Sequence, residues 1–165
     1  MPTPLSYRAG AWSWIACGTG HTVLDIAMRL SPGSDGRHVD AVLRASVLDI
    51  GGIARTSYEV IQGISLAMGA AIVVVGVLLL YVGRLASSAG QLRQAALIGL
   101  AASAVMLGFA VALLPSPPIV LFSVAVAAFG VTLLRARRRP DPGGTPARPR
   151  TGPGHLSSRR PRAAR

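Results

Sequence analysis

Hydrophobic and charged positions are sorted into blocks along this chain. Three stretches carry no charge: Val60 to Val82, with the run AAIVVVGVLLLYV, then Gln94 to Leu114, then Pro117 to Leu134. Crossing a bilayer takes about 20 apolar residues. Backbone polar groups in lipid need partners within the segment, so these stretches predict transmembrane helices. A fourth stretch, Ala9 to Met28, is apolar apart from hydroxyls, His21 and Asp25. Arg8 would suit the basic start of a signal peptide, but His21 interrupts the apolar core and no A-x-A site follows, so an uncleaved first span is expected. The predicted fold is therefore an all-α membrane protein, a four-transmembrane-helix bundle with spans at 9–28, 60–82, 94–114 and 117–134.

The segment between the first two spans opens with turn chemistry at Ser31-Pro32-Gly33-Ser34-Asp35-Gly36. Val39, Val42, Leu43, Val47 and Ile50 then recur at helical spacing. They predict a short amphipathic helix at the outer surface, ended by Gly51-Gly52. Tyr58 and Tyr81 fall at the two ends of the second span, and Trp12 and Trp14 near the start of the first, where aromatic residues suit a membrane interface.

Charge sharpens this picture. The chain has 165 residues and a net charge of +11, with 51% hydrophobic residues. Residues 1–134 hold 7 Arg and 5 acids, whereas 135–165 hold 10 Arg and 1 Asp. The basicity thus belongs to a tail, which excludes a basic nucleic-acid-binding globule. Cys17 is the single cysteine, which excludes a disulfide scaffold. The tail has six Pro, four Gly and Leu156 as its one large aliphatic residue, and is expected to be a disordered Arg/Pro-rich cytoplasmic segment. Arg135, Arg137, Arg138 and Arg139 stand at the membrane edge and are expected to meet anionic lipid headgroups. With Arg84 and Arg93 between spans two and three, they place both termini in the cytoplasm by the positive-inside rule. The four Arg among residues 29–59 weigh against that orientation. All basic residues are Arg, and with the Ala, Gly and Pro content this suggests a GC-rich bacterial source and an inner-membrane location.

Small residues at regular intervals predict close helix contacts. Gly69, Gly76 and Gly83 are seven apart; Ala95, Gly99 and Ser103 are four apart, and Ala104, Gly108 and Ala112 repeat that spacing on a second face. Gly18 and Gly20 fit a crossing beside His21. Candidate chemistry lies in one polar cluster. His21, Asp25 and Arg29 share a face of the first span, and Tyr58, Glu59 and Gln62 begin the second, at the same expected depth. Ionisable residues within a span are functional candidates by default, while Asp25 pairing with Arg29 and His21 bonding to a neighbouring helix is the structural account of the same residues. His21 and Cys17 on one helix do not complete a metal site, so no metal and no cofactor are expected. No phosphate loop or nucleophile elbow occurs.

The run Trp14-Ile15-Ala16-Cys17-Gly18-Thr19-Gly20-His21, followed by Asp25 and by Gln62-Gly63-Ile64-Ser65-Leu66-Ala67-Met68-Gly69, resembles small four-span bacterial inner-membrane proteins that are themselves uncharacterised. The resemblance implies a four-helix membrane fold over residues 7 to about 135 and supplies no activity; His21 matches its first-span pattern, and Gly63, Ser65 and Gly69 its second. The expected function is non-enzymatic binding or accessory work, with the bilayer, a partner membrane helix or a second copy of the chain as partners and nucleic acid disfavoured. The alternative is a membrane-embedded enzyme or proton-coupled transporter using His21, Asp25 and Glu59.

Overall fold

The computed structural model describes residues 3–31, 33–113 and 116–137. Arg138, Arg139 and the expected disorder of the tail lie outside the described residues. The elements are α1 (Leu5–Leu30), α2 (Ser34–Ala45), β1 (Val47–Ile50), β2 (Ile53–Thr56), α3 (Ser57–Leu85), α4 (Ala89–Leu113) and α5 (Ser116–Arg137). The chain is mostly helical. Three helices, α3, α4 and α5, are long and apolar enough to cross a membrane and point to a membrane protein. α1 is as long as these but carries the polar residues noted above.

The arrangement turns on α1. It packs along α3 on one side and α5 on the other, α4 packs on α5, and few contacts join α3 directly to α4. α1 and α3 run antiparallel from Thr3 against Gly83 to Arg29 against Gln62. Their seam repeats every seven residues on both helices. Ala11 and Gly18 of α1 meet Gly76 and Gly69 of α3, and Gly83 receives the Tyr7 ring. A seven-residue repeat keeps the seam on one face only when the pair wraps gently left-handed. The backbones are in close contact: a Cβ at Gly18 would lie 2.7 Å from the Gly69 carbonyl oxygen and 2.8 Å from the Val73 amide nitrogen. At Gly76 it would lie 2.9 Å from the Ile15 amide nitrogen. The second seam centres on Phe129 of α5, fully buried between Gly10 of α1 and Gly99 of α4. Its ring meets Tyr7 edge-on, with centroids 5.3 Å apart.

The polar groups of α1 turn inward. Tyr7 Oη donates to the Leu79 carbonyl at 2.8 Å, Trp14 Nε1 to Ser103 Oγ at 2.9 Å, and Ser6 meets Thr132 at 2.8 Å. Ser103 Oγ in turn donates to the Gly99 carbonyl at 2.7 Å. Among the described residues, the side-chain hydrogen bonds that join one long helix to another all have α1, or Thr3 just before it, at one end. The outward surface is apolar, including Val23, Leu24, Val74, Leu78, Ile98, Val105, Phe109 and Val120. In water such a surface would be a very large exposed hydrophobic patch.

Several expectations are corrected. Trp14 is buried against Phe122, with ring centroids 5.2 Å apart, and is no interface anchor; Trp12 is exposed. Gly20 and Gly108 have open space where a side chain would be, and Ala104 and Ala112 face outward with Gly108, so these small residues make no close crossing with another helix among the described residues. The outer helix starts at Ser34, inside the expected turn, and stops at Ala45. Val47 and Ile50 do not continue it. They belong to a hairpin in which Val47 pairs with Thr56 and Ile50 with Ile53. Gly51 and Gly52 have φ of 64° and 84°, a pair of left-handed positions that suits a two-residue hairpin turn. Asp49 fixes that turn by accepting from the Gly52 amide at 2.9 Å.

These seams assign opposite signs to glycine substitutions. Gly18→Ala and Gly76→Ala force backbone against backbone and should each destabilise by about 1–3 kcal/mol, the usual cost of overfilling a close contact. Gly20→Ala and Gly108→Ala should be neutral or stabilising by up to about 1 kcal/mol, from helix propensity alone. Unfolding of the four variants in mild detergent, followed by helical signal, separates the two classes.

Candidate functional site

α1 ends and α3 begins at the same end of the bundle, and α2 and the hairpin cover that end. The local sequence explains the entry into α3. Thr56, the last residue of β2, accepts from the Glu59 amide at 3.2 Å, while Glu59 Oε2 accepts from the Thr56 amide at 3.0 Å. This reciprocal capping box starts α3 where the hairpin stops. Beneath α2 lies a cleft of about 360 Å³, with Arg29, Asp40, Tyr58 and Gln62 among its polar lining and Met28, Leu43 and Ile61 among its apolar lining.

The six residues of the expected polar cluster divide into separate groups. Arg29 bridges the helices: its Nη2 pairs with Asp25 one turn back, and its Nη1 donates to Gln62 Oε1 at 2.9 Å. Nη2 also reaches the Gln62 carbonyl at 3.5 Å, at the limit of hydrogen-bond distance. Arg29 Nε is buried with no partner among the described residues. His21 lies one turn deeper, and its Nε2 meets Ser65 Oγ of α3 at 3.1 Å. Tyr58 faces α2, with the Arg44 guanidinium 3.7 Å from its ring centroid. Glu59 is exposed and is committed to the capping box. Asp25, Arg29 and Gln62 are thus bonded together, Tyr58 lines the same cleft without joining them, and His21 and Glu59 go elsewhere.

Ser65 is the partner that the polar-cluster reading omitted. The two short patterns that suggested a four-span resemblance turn out to be one contact: His21 meets Ser65, and Gly69 lies against His21, Thr22 and Gly18. Gly63 has open space around it. Among the described residues no group of three His, Cys, Asp or Glu could hold a metal. Cys17 is buried in the core, where a small sulfur-bearing side chain fits as an apolar residue. At the opposite end Arg135 and Arg137 occupy the last turn of α5.

Compared with protein-family models, with curated proteins and with solved structures, the chain matches none. The function must therefore be argued from the site.

The division of the cluster is measurable through coupling. His21→Gln and Asp25→Asn touch different partners and should have additive effects on unfolding free energy within about 0.5 kcal/mol. Hydrogen bonds between membrane helices average about 0.6 kcal/mol, so His21→Gln alone should cost little. Asp25→Asn and Arg29→Gln share one bridge, so the double variant should cost clearly less than the two singles together. Non-additivity between His21 and Asp25 would instead place them in one network.

Proposed function

We propose that this chain is a non-enzymatic membrane protein of four spans that binds a small ligand or a partner segment in the cleft under α2. The observation that carries this reading is the role of α1. It follows α3 through backbone contact at Gly18, Gly69 and Gly76 over most of its length. If α3 crosses a bilayer, α1 lies in the same layer, because no lipid fits between them. At about 1.5 Å per residue its 26 residues reach ~39 Å, which exceeds the ~30 Å hydrocarbon core. Its lower hydropathy follows from where its polar groups point, which is at other helices and not at lipid.

The same geometry supports binding over proton transfer. A relay needs titratable groups in hydrogen-bond reach of one another or of a common substrate. Here His21, Asp25 and Glu59 are engaged by Ser65, Arg29 and Thr56 in turn. The cleft itself has an apolar wall of Met28, Leu43 and Ile61 with Asp40 and the Arg29 bridge beside it, a composition suited to recognition. Orientation is supported by the arginine pattern: Arg84, Arg93, Arg135 and Arg137 gather at the end opposite the hairpin, with no acid between residues 60 and 137. The positive-inside rule then puts both termini in the cytoplasm and the hairpin outside. A bacterial inner membrane is the setting this composition fits.

A reporter active only outside the cytoplasm should be silent when fused after Arg165 and active when inserted between Gly51 and Gly52, at the exposed hairpin tip. A C-terminal fusion and a hairpin insertion that are both active would overturn the four-span reading, and an active C-terminal fusion with a silent hairpin insertion would overturn the orientation. His21→Gln, outside the cleft, should restore any phenotype of a deletion strain while folding normally. A folded His21→Gln variant that fails to restore it would favour proton transfer.

A further inference from the structure

The end opposite the hairpin carries a second recess. It holds about 230 Å³ and is lined by Thr3, Arg8, Trp12, Leu80 and Arg84. Both arginines are exposed, and no described acid pairs with either. The nearest acids in the sequence are Asp25 and Glu59, and both lie at the far end of the bundle. The recess is also tiered. Trp12 follows Arg8 by four residues on α1, and Leu80 precedes Arg84 by four on α3. Because the helices are antiparallel, both steps lead one turn toward the middle of the bundle, about 6 Å along the axis. Two cations therefore sit at the rim and two large apolar side chains directly below them. Trp12 is 54% exposed, an indole face turned outward at the depth where aromatic residues favour the membrane interface. The rim is tied across the two helices: Thr3 Oγ1 donates to the Gly83 carbonyl at 3.0 Å, and the Tyr7 ring rests on Gly83 beside it.

We propose that this recess is a binding site for the phosphate of an anionic phospholipid, held by Arg8 and Arg84, with the first acyl carbons against Trp12 and Leu80. The inference rests on the four-span reading, which puts α1 and α3 in the bilayer side by side. At about 30 Å³ per water, the recess takes roughly eight waters. That admits a phosphate diester and leaves the acyl chains outside, along the span. Guanidinium groups match phosphate oxygens in planar, bidentate fashion. The apolar tier distinguishes a lipid phosphate from a free one.

The test uses the full chain in vesicles of phosphatidylcholine and phosphatidylglycerol. One lipid at a time carries bromines near the start of its acyl chains, and tryptophan quenching is read. Trp12 and Trp14 are the only tryptophans, Trp14 is buried, and Trp12→Phe identifies the Trp12 component. Brominated phosphatidylglycerol should quench Trp12 with a relative affinity about thirtyfold above that of phosphatidylcholine, given two basic residues at roughly 1 kcal/mol each near a membrane surface. Arg8→Gln with Arg84→Gln should abolish the enrichment while helical signal stays unchanged. Arg135→Gln with Arg137→Gln should preserve it, and so should 10 mM inorganic phosphate, an illustrative excess of about the scale at which a free-anion site would fill. Equal quenching by both brominated lipids would overturn the site, as would enrichment that survives loss of Arg8 and Arg84 or disappears with Arg135 and Arg137. Displacement by inorganic phosphate would show a free-anion site instead. Trp12 unquenched by either lipid would overturn the span assignment of α1 along with the site.

Discussion

Backbone meets backbone where α1 crosses α3, and the rest of the bundle is organised around that contact. Lipid supplies no hydrophobic drive for helices to associate, so close approach has to come from shape. Gly18, Gly69 and Gly76 allow it, with Ala11 and Gly83 extending the seam toward the start of α1. Once α1 is fixed there, its remaining faces are available to α5 and to α4, and it becomes the hub of the bundle. That position accounts for its composition. A central helix needs little lipid-facing surface, and it can carry Ser6, Tyr7, Ser13, Trp14, His21 and Thr22, because each has a partner on a neighbouring helix or one turn back on its own. Buried hydroxyls of this kind often bond the carbonyl four residues earlier, as Ser13, Thr22, Ser103 and Thr132 do.

The α4–α5 pair attaches through different physics. Phe129 fills the gap between Gly10 and Gly99, so an aromatic ring takes the place of backbone contact. Trp14 reaches across from α1 to Ser103 with its indole N–H satisfied, which lets so large a residue be buried. Since α3 and α4 touch only sparingly, α4 is held mainly by α5 and by these reaches from α1.

The sequence made some of this legible and hid the rest for definable reasons. Charge-free runs over 60–82, 94–114 and 117–134 mark α3, α4 and α5, because length and hydropathy suffice for a segment that faces lipid. The seven-residue spacing of Gly69, Gly76 and Gly83 marks a seam, because periodicity reports a shared face. It does not report which face is covered: Gly108 and Gly99 have equally regular neighbours, and Phe129 chooses one of them. Trp14 was legible as an aromatic near a span end but not as a core residue, since its partner Ser103 is 89 positions away. The hairpin had a local signal in Gly51-Gly52 flanked by Val47 to Ile50 and Ile53 to Thr56. It was masked because Val47 and Ile50 also fall in step with Val39 and Leu43. Glu59 carried a signal of its own, Thr-x-x-Glu before an apolar run, which describes a helix start and not a site.

The two ends of the bundle differ in kind. Residues 25–59 hold every acid of the first 134 residues, together with four arginines. There Arg29 is spent on Asp25 and Gln62, and Arg44 on the Tyr58 ring. Charge at that end organises a cap over the cleft and leaves little net field. At the other end Arg8, Arg84, Arg93, Arg135 and Arg137 stand without a described acid among them. Unpaired guanidinium groups cost little beside water and headgroups, and their combined field extends about a Debye length, roughly 8 Å at physiological salt. No acid among the described residues of that end answers this field. The contrast between a neutralised cap and an open cationic rim therefore gives the bundle a direction before any ligand is bound.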